Sequence, residues 1–333
     1  MSTSLADRHV LYVAPRFFGY ERDIAAELER RGAVVDWLRD RPFDTPFMTA
    51  VTRFRRHWMI RAADRLYRSE LHRFGRSHYD AVFVVNGQTL SGEILRELKR
   101  SFPRATFILY MWDSMENRQS VLENLRFFDV CFTFDPRSAK SHGLRFRPLF
   151  FSKGFESAPK ADFRYDISFI GTAHTDRYSL VSALDGALAA NVKRFWYLYL
   201  QARWVFHAYK LINPSFKSAR IGEFHFAPLA RAEVQNVFHR SKAILDIEHP
   251  QQCGLTIRTF EALGAAKKLV TTNAEISTYD FFDPDNICVL NRNRIAMHQE
   301  FLEKPYRPIP AQLYRKYSLS GWMDEILNAC SLS

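Results

Sequence analysis

Cysteine is scarce in this chain: Cys131, Cys253, Cys288 and Cys330 are the only four in 333 residues, and no two of them form a Cys-x-x-Cys pair. That spacing argues against a structural zinc site and against a disulfide framework. The 11 histidines show neither His-x-x-x-His nor His-Glu-x-x-His spacing, so the usual zinc-enzyme signatures are missing as well. No run reaches the roughly 18 to 20 uncharged apolar residues that a membrane-spanning helix needs. Met1 to His9 is polar and leads straight into an apolar strand-like run, without the charged flank and apolar stretch of a secretion signal. These absences predict a cytoplasmic protein. Acidic charge is also short, with 36 Asp and Glu against 47 Lys and Arg, a formal charge of +11. The excess predicts attraction to something anionic: nucleic acid, an acidic membrane surface or a phosphorylated ligand.

What is present is the composition of a globular protein, 47% apolar and 25% charged. The length fits two ordinary domains, each able to bury its own core. In the first half, strand-like and helix-like segments alternate as in a doubly wound sheet. His9 to Ala14 reads as a buried strand, Tyr20 to Arg31 as a helix stopped by Gly32, and Ala33 to Leu38 as a second strand. Tyr79 to Val85, Thr106 to Met111 and Val130 to Phe134 are further short apolar runs. Five such units predict a parallel sheet.

The periodicity lapses between Pro148 and Tyr165, where Pro148, Gly154 and Pro159 mark an interdomain linker. A second series follows: strands at Asp166 to Ile170, Ala243 to Ile247 and Lys268 to Thr272, a helix at Thr256 to Ala265, and a closing helix at Gln312 to Cys330. The expected division is an N-terminal Rossmann-like domain over 1–150, a C-terminal Rossmann-like domain over 151–310, and a closing helix over 311–333. Two segments depart from the alternation. Val51 to Arg76 is a long helical candidate carrying Arg53, Arg55, Arg56, Arg61 and Arg65 among other arginines, and Lys193 to Lys210 is rich in aromatics between basic residues.

Open parallel sheets bind ligands at the carboxyl ends of their strands. Asp246 to Asn273 is the most informative stretch by that rule. A strand ends near Glu248, a loop leads to Gly254, and a helix begins at Leu255 or Thr256. Glycine permits close approach of a phosphate, and the free amides at a helix start favour an anion. One turn along lie Arg258 and Glu261, a guanidinium suited to a diphosphate and a carboxylate suited to ribose hydroxyls.

Gly254, Leu255, Arg258, Phe260, Glu261, Ala262 and Leu263 form a Gly-Leu-x-x-Arg-x-Phe-Glu-Ala-Leu pattern. Here the sequence resembles the CgeB-like glycosyltransferases of the GT-B fold, in which that pattern lies beside the donor nucleotide. The resemblance extends to Asp166–Arg177, where such enzymes have a strand, a glycine loop and an arginine near the donor phosphates. It implies donor roles for Gly171, Thr172, Arg177, Gly254, Leu255, Thr256, Arg258 and Glu261. Tyr110 to Ser114 (YMWDS) is similar to the strand-end Trp-Asp motif of lipopolysaccharide and capsule glycosyltransferases, and by that likeness Asp113 is the candidate catalytic base, with Glu21 and Asp135 in reserve. The implied fold is α/β, two facing Rossmann-like domains with a cleft between them. The implied activity is metal-independent transfer of a sugar from a nucleotide sugar to a glycan or lipid-linked acceptor in bacterial surface polysaccharide assembly, with no cofactor. Retaining enzymes of this fold often carry two glutamates eight positions apart here, and the position eight before Glu261 is Cys253, which favours inversion.

Plainer readings stand beside these. Asp113 can cap a helix, Arg258 can be an ion-pair residue, and Gly171 and Thr172 can serve only to turn the chain. Asp283-Pro284-Asp285 reads as a turn rather than a metal motif. His174, beside the phosphate loop, is a possible donor contact. The 51–76 arginines are either a solvated face or a surface for anionic lipid at the inner face of a membrane, and Lys193–Lys210 is either core or part of that surface. Rival functions are a nucleotide-sugar epimerase on the same fold, a basic nucleic-acid-binding protein, disfavoured because no such motif is present, and an inactive scaffold.

Overall fold

The computed structural model describes residues 3–40, 56–115, 119–156, 162–330 and 332. They form two compact units, one of Met1–Pro148 with Leu319–Ser333 and the other of Leu149–Ser318.

The first unit runs β1 (His9–Ala14), α1 (Tyr20–Arg30), β2 (Val34–Arg39), α2 (Arg56–Phe74), β3 (Ala81–Val85), α3 (Gly92–Ser101), β4 (Thr106–Met111), α4 (Gln119–Leu122), β5 (Val130–Thr133), α5 (Pro136–His142) and β6 (Arg145–Phe146). All strands are parallel in the order β2-β1-β3-β4-β5-β6. Val10 to Ala14 and Ala81 to Val85 are buried along their whole length, as strands covered on both faces must be. The helices begin and end where local chemistry dictates. The Ser91 hydroxyl accepts the Ile94 amide at the start of α3, and Asp135 accepts the Ser138 amide at the start of α5. Gly143, at φ 64°, closes α5 in the left-handed region that favours glycine.

Five strands were expected here and six are present among the described residues. The sixth, β6, is two residues long with both side chains exposed, so it carries no apolar signature. The helix expected over 51–76 spans Arg56–Phe74. Arg53 and Arg55 lie outside the described residues.

The second unit runs β7 (Tyr165–Thr172), α6 (Arg177–Ala187), β8 (Arg194–Tyr199), α7 (Arg203–Ile212), β9 (Phe224–His225), α8 (Arg231–His239), β10 (Ser241–Asp246), α9 (Ile257–Gly264), β11 (Lys268–Thr271), β12 (Ile287–Val289), α10 (Glu300–Glu303) and α11 (Ala311–Lys316). Its sheet is also parallel, ordered β12-β11-β10-β7-β8-β9. Counted within the unit this is the Rossmann order, with the winding reversing between β7 and β10. The core gathers Ile167, Phe169, Val181, Leu184, Leu198, Leu245 and Val270 from strands and helices of this unit.

The single closing helix expected from the sequence is two. α11 stops at Tyr317, whose ring is buried and whose hydroxyl donates to Asp280 at 2.5 Å. After that break α12 (Leu319–Asn328) belongs to the first unit. There Trp322 packs edge-on to Tyr110 at 4.7 Å, and the buried Arg31 donates to Asp324 at 2.6 Å.

Candidate active site

The winding reversal in the second sheet brings the end of β7 beside the end of β10. Parallel strands leave their carboxyl-end loops on one edge, and a ligand at this point meets two of them at once. From β7 the chain passes Gly171 and Thr172, makes a tight turn and enters α6 at Arg177. Thr175 in that turn has φ 56°, a left-handed conformation uncommon for a threonine. It is held there by Asn213, which donates to the Thr175 carbonyl at 2.8 Å.

Arg177 ties the two strand ends together. Its Nε donates to the Ile247 carbonyl at 2.7 Å and its Nη1 to the Thr172 carbonyl at 3.2 Å. Burial pulls its pKa down, and it feels the charges of Asp246, Arg258, Glu248 and Arg292. Its hydrogen bonds go to carbonyl oxygens, and among the described residues no carboxylate is joined to it by a hydrogen bond. Next to it, His174 is pushed down to about 4, first by burial and then by the nearby Arg177 and His249. It is therefore a neutral imidazole near pH 7.

From β10 comes Asp246, a buried carboxyl whose Oδ2 accepts the hydroxyls of Thr256 at 2.7 Å and Thr259 at 2.8 Å. Burial raises its pKa despite those two bonds. The arrangement locks the first turn of α9 against the strand end, and the Thr256 hydroxyl in turn accepts the Arg258 amide at 3.1 Å. Arg258 is half-buried over the Phe238 ring, and its Nη1 meets the buried Glu261 carboxylate at 2.7 Å. Gly254 and Leu255 are both buried. A Cβ at Gly171 would fall 2.8 Å from the Phe169 ring, so packing alone accounts for that glycine.

The candidate donor residues thus come together on one edge, in different environments. Arg177, Thr256 and Arg258 are half-buried there, with Gly171 and Thr172 at the strand end. Leu255 and Glu261 are 1% exposed and face inward.

Several residues of the edge had no motif to mark them. Arg292 donates from Nη1 to Asp176 at 2.5 Å and from Nη2 to Glu248 at 2.7 Å, fixing the turn before α6 to the loop after β10. It lies in an irregular turn between Asn291 and Arg294, where no periodicity points to it. Glu248 also accepts the Thr272 hydroxyl at 2.5 Å, and Asn273 donates to the Cys253 carbonyl at 3.1 Å. Asp246 had a signal available, a carboxylate ending an apolar strand ten residues before a threonine helix start.

In the first unit Asp113 follows β4 and is half-buried. Its neighbour Trp112 donates its amide to Asn86 at 3.2 Å and stacks at a tilt on Phe17, 5.2 Å away. Glu21 and Asp135 serve the backbone. Glu21 accepts the amides of Phe17 and Gly19 at 2.9 and 3.1 Å, and Asp135 caps α5. The loop that Glu21 holds carries Phe18 at φ 51° with its ring 76% exposed, a strained placement of the kind found at ligand sites.

Elsewhere, Asp285 meets Arg307 at 2.7 Å and Asp283 accepts the Asp285 amide, a paired turn. Among the described residues no group of three His, Cys, Asp or Glu side chains could hold a metal ion, and no helix is long and apolar enough to cross a membrane. Burial pushes the Cys131 and Cys330 thiols up to about 11, away from nucleophilic use.

Two doubly wound parallel sheets in one chain make up the GT-B fold. No family model matches the chain, and no curated protein matches its sequence. Solved structures do match it in shape. HepE of Anabaena, in complex with UDP and glucose, superposes over 97% of this chain and 99% of its own with a TM-score of 0.63 and 11% identity. The UDP-GlcNAc 2-epimerase of Neisseria meningitidis bound to UDP-GlcNAc covers 98% of this chain and 100% of its own, TM-score 0.51, identity 10%. MnaA of S. aureus with UDP covers 98% of each chain, TM-score 0.50, identity 11%. At such identities the likeness establishes the fold.

Proposed function

We propose that this chain is a glycosyltransferase that holds a nucleotide-sugar donor at the carboxyl edge of the second sheet. The observation that carries the reading is the meeting of Arg177, Arg258 and the start of α9 at the winding reversal, with the Arg177 guanidinium bonded, among the described residues, to carbonyls only. A diphosphate there finds a cation without a hydrogen-bonded counter-ion beside a helix amino end, the two features that bind phosphate most readily. UDP-glucose and UDP bound to the similarly folded HepE support the same choice of ligand. They make uridine diphosphate sugars the first donors to test.

In this mechanism the bond from sugar to diphosphate breaks as the acceptor oxygen attacks. Negative charge grows on the leaving diphosphate, and Arg177, Arg258 and the α9 amides stabilise it without a metal ion. Asp113 takes the acceptor proton as general base. Absence of a glutamate at Cys253 supports inversion at the sugar carbon. The acceptor in this reading is a glycan or a lipid-linked glycan of a bacterial surface polysaccharide. Arg61 and Arg65, exposed on α2, supply a cationic face suited to such an acceptor at an anionic surface. The fold shared with the Neisseria epimerase keeps epimerisation as the second reading.

A thermal-shift screen against UDP-, GDP-, dTDP-, CMP- and ADP-sugars tests the proposal, because a ligand that binds only the native state raises its melting temperature. At least one nucleotide sugar should raise it. No shift with any of them, or product formed from donor with no acceptor present, counts against transfer.

A further inference from the structure

The most exposed large apolar side chains in the second unit lie on one helix. On α7, Trp204 is 71% exposed, Leu211 86% and Ile212 75%. Val205 and Phe206 are buried and Tyr209 is half-buried against Phe216 at 5.1 Å, which sets the inward face. Trp204, His207 and Leu211 follow the i, i+3, i+7 spacing on the opposite side, and Ile212, seven residues after the buried Val205, is exposed because the helix ends there. Single exposed apolar residues are ordinary. Several on one short helix face, with none of them contributing to the core, are not.

Along the chain, the charge on and after this helix has one sign. From Asp185 to Glu223 the chain contains no acidic residue, while Arg203, Lys210, Lys217 and Arg220 all lie within that span. All four are exposed. Arg203 and Lys210 border the apolar stripe, with Arg203 lying 5.5 Å over the Phe226 ring and the Lys210 ammonium donating to the Ala219 carbonyl at 2.5 Å. The arginine-rich α2 exposes Arg61 and Arg65 but no comparable apolar group, Leu66 being 38% exposed. On it Arg68 is paired with Glu93 and Glu97 and Arg73 with Glu70, and just beyond it Arg76 is paired with Asp36. Its buried Ala63 and Tyr67 belong to the core.

We propose that α7 is an interfacial helix that docks the second unit on an anionic lipid surface. Trp204, Leu211 and Ile212 enter the headgroup region while Arg203, Lys210, Lys217 and Arg220 meet lipid phosphates. An indole at the boundary with aliphatic residues beside it and cations on the rim is the arrangement that binds in the plane of a bilayer, and each cation near such a surface adds to the attraction. The inference stands on the helix surface and does not depend on what the active site binds.

The test is co-sedimentation of the full chain with phosphatidylcholine vesicles with and without phosphatidylglycerol, using no donor or acceptor. Binding should require phosphatidylglycerol and weaken as salt is raised. The L211E/I212E double variant should bind at least about tenfold more weakly while unfolding at the parental temperature. A K210E/K217E variant should lose the salt-sensitive part, and R61E/R65E on α2 should retain the α7-dependent binding. Equal binding by the parent and L211E/I212E overturns the proposal, as does a parent that ignores anionic vesicles. Light scattering that shows the parent self-associating through α7, with L211E/I212E monomeric, would assign the face to a second copy instead.

Discussion

His174 carries the site's clearest dependence on pH. Burial, with Arg177 and His249 nearby, pushes its imidazole down to about 4, against the ordinary 6.5 of an unfolded ring. Between those values the folded chain binds fewer protons than the unfolded one. Stability that is fully present above pH 6.5 is therefore lost progressively as pH falls toward 4. Melting curves across that window should show the decline, and a His174→Asn variant should show less of it; an identical pH profile in the variant removes His174 from the account. Arg177 makes the sharper claim about function. Charge-assisted hydrogen bonds contribute about 1.5 to 3 kcal/mol, so Arg177→Ala should weaken nucleotide binding roughly 10- to 100-fold. Calorimetry with UDP, on variant protein shown to be folded at the assay temperature, measures this directly.

Among the elements, α9 shows how packing and placement depend on each other. Its last residue, Gly264, lies so close to the segment before β7 that an added Cβ would be 2.5 Å from the Phe151 ring and 2.6 Å from the Phe155 carbonyl. Alanine at an ordinary helical glycine gains up to about 1 kcal/mol. Here overpacking of about 1 to 3 kcal/mol opposes that gain, and chemical denaturation of Gly264→Ala should register a net loss. The helix was legible in the sequence because its apolar spacing and Thr256 start are local signals, as were β1, β4 and β11. β8, β9 and β12 were not, since the aromatics of β8 are all half-buried and show no alternation, and the other two are three residues or shorter. The site divides in the same way. Arg177 and Arg258 stand in patterns that can be read along the chain, whereas Arg292 reaches Asp176 and Glu248 only through folding. For Arg258 the sequence left open both a ligand contact and an ion pair, because spacing puts Arg258 and Glu261 on one helix face without saying whether they meet each other or a ligand; in the structure they meet each other.

At the scale of the molecule, each sheet offers its own carboxyl edge, and the two edges differ in chemistry. The second has guanidinium groups and a helix start; the first has Asp113 beside Trp112, Phe17 and the strained Phe18. Donor binding and proton removal should therefore separate by mutation. Asp113→Asn should lower transfer by about 100- to 10,000-fold, the range typical of general base catalysis, while leaving the donor's thermal shift in place. Normal turnover by that variant would take Asp113 out of the mechanism. The account rests most heavily on where the phosphates go, and a crystal structure of the chain with UDP decides it. The account predicts diphosphate oxygens within hydrogen-bond distance of the Arg177 guanidinium and the first amides of α9. UDP bound at any other place on the chain, or against that edge through its base alone, would contradict it.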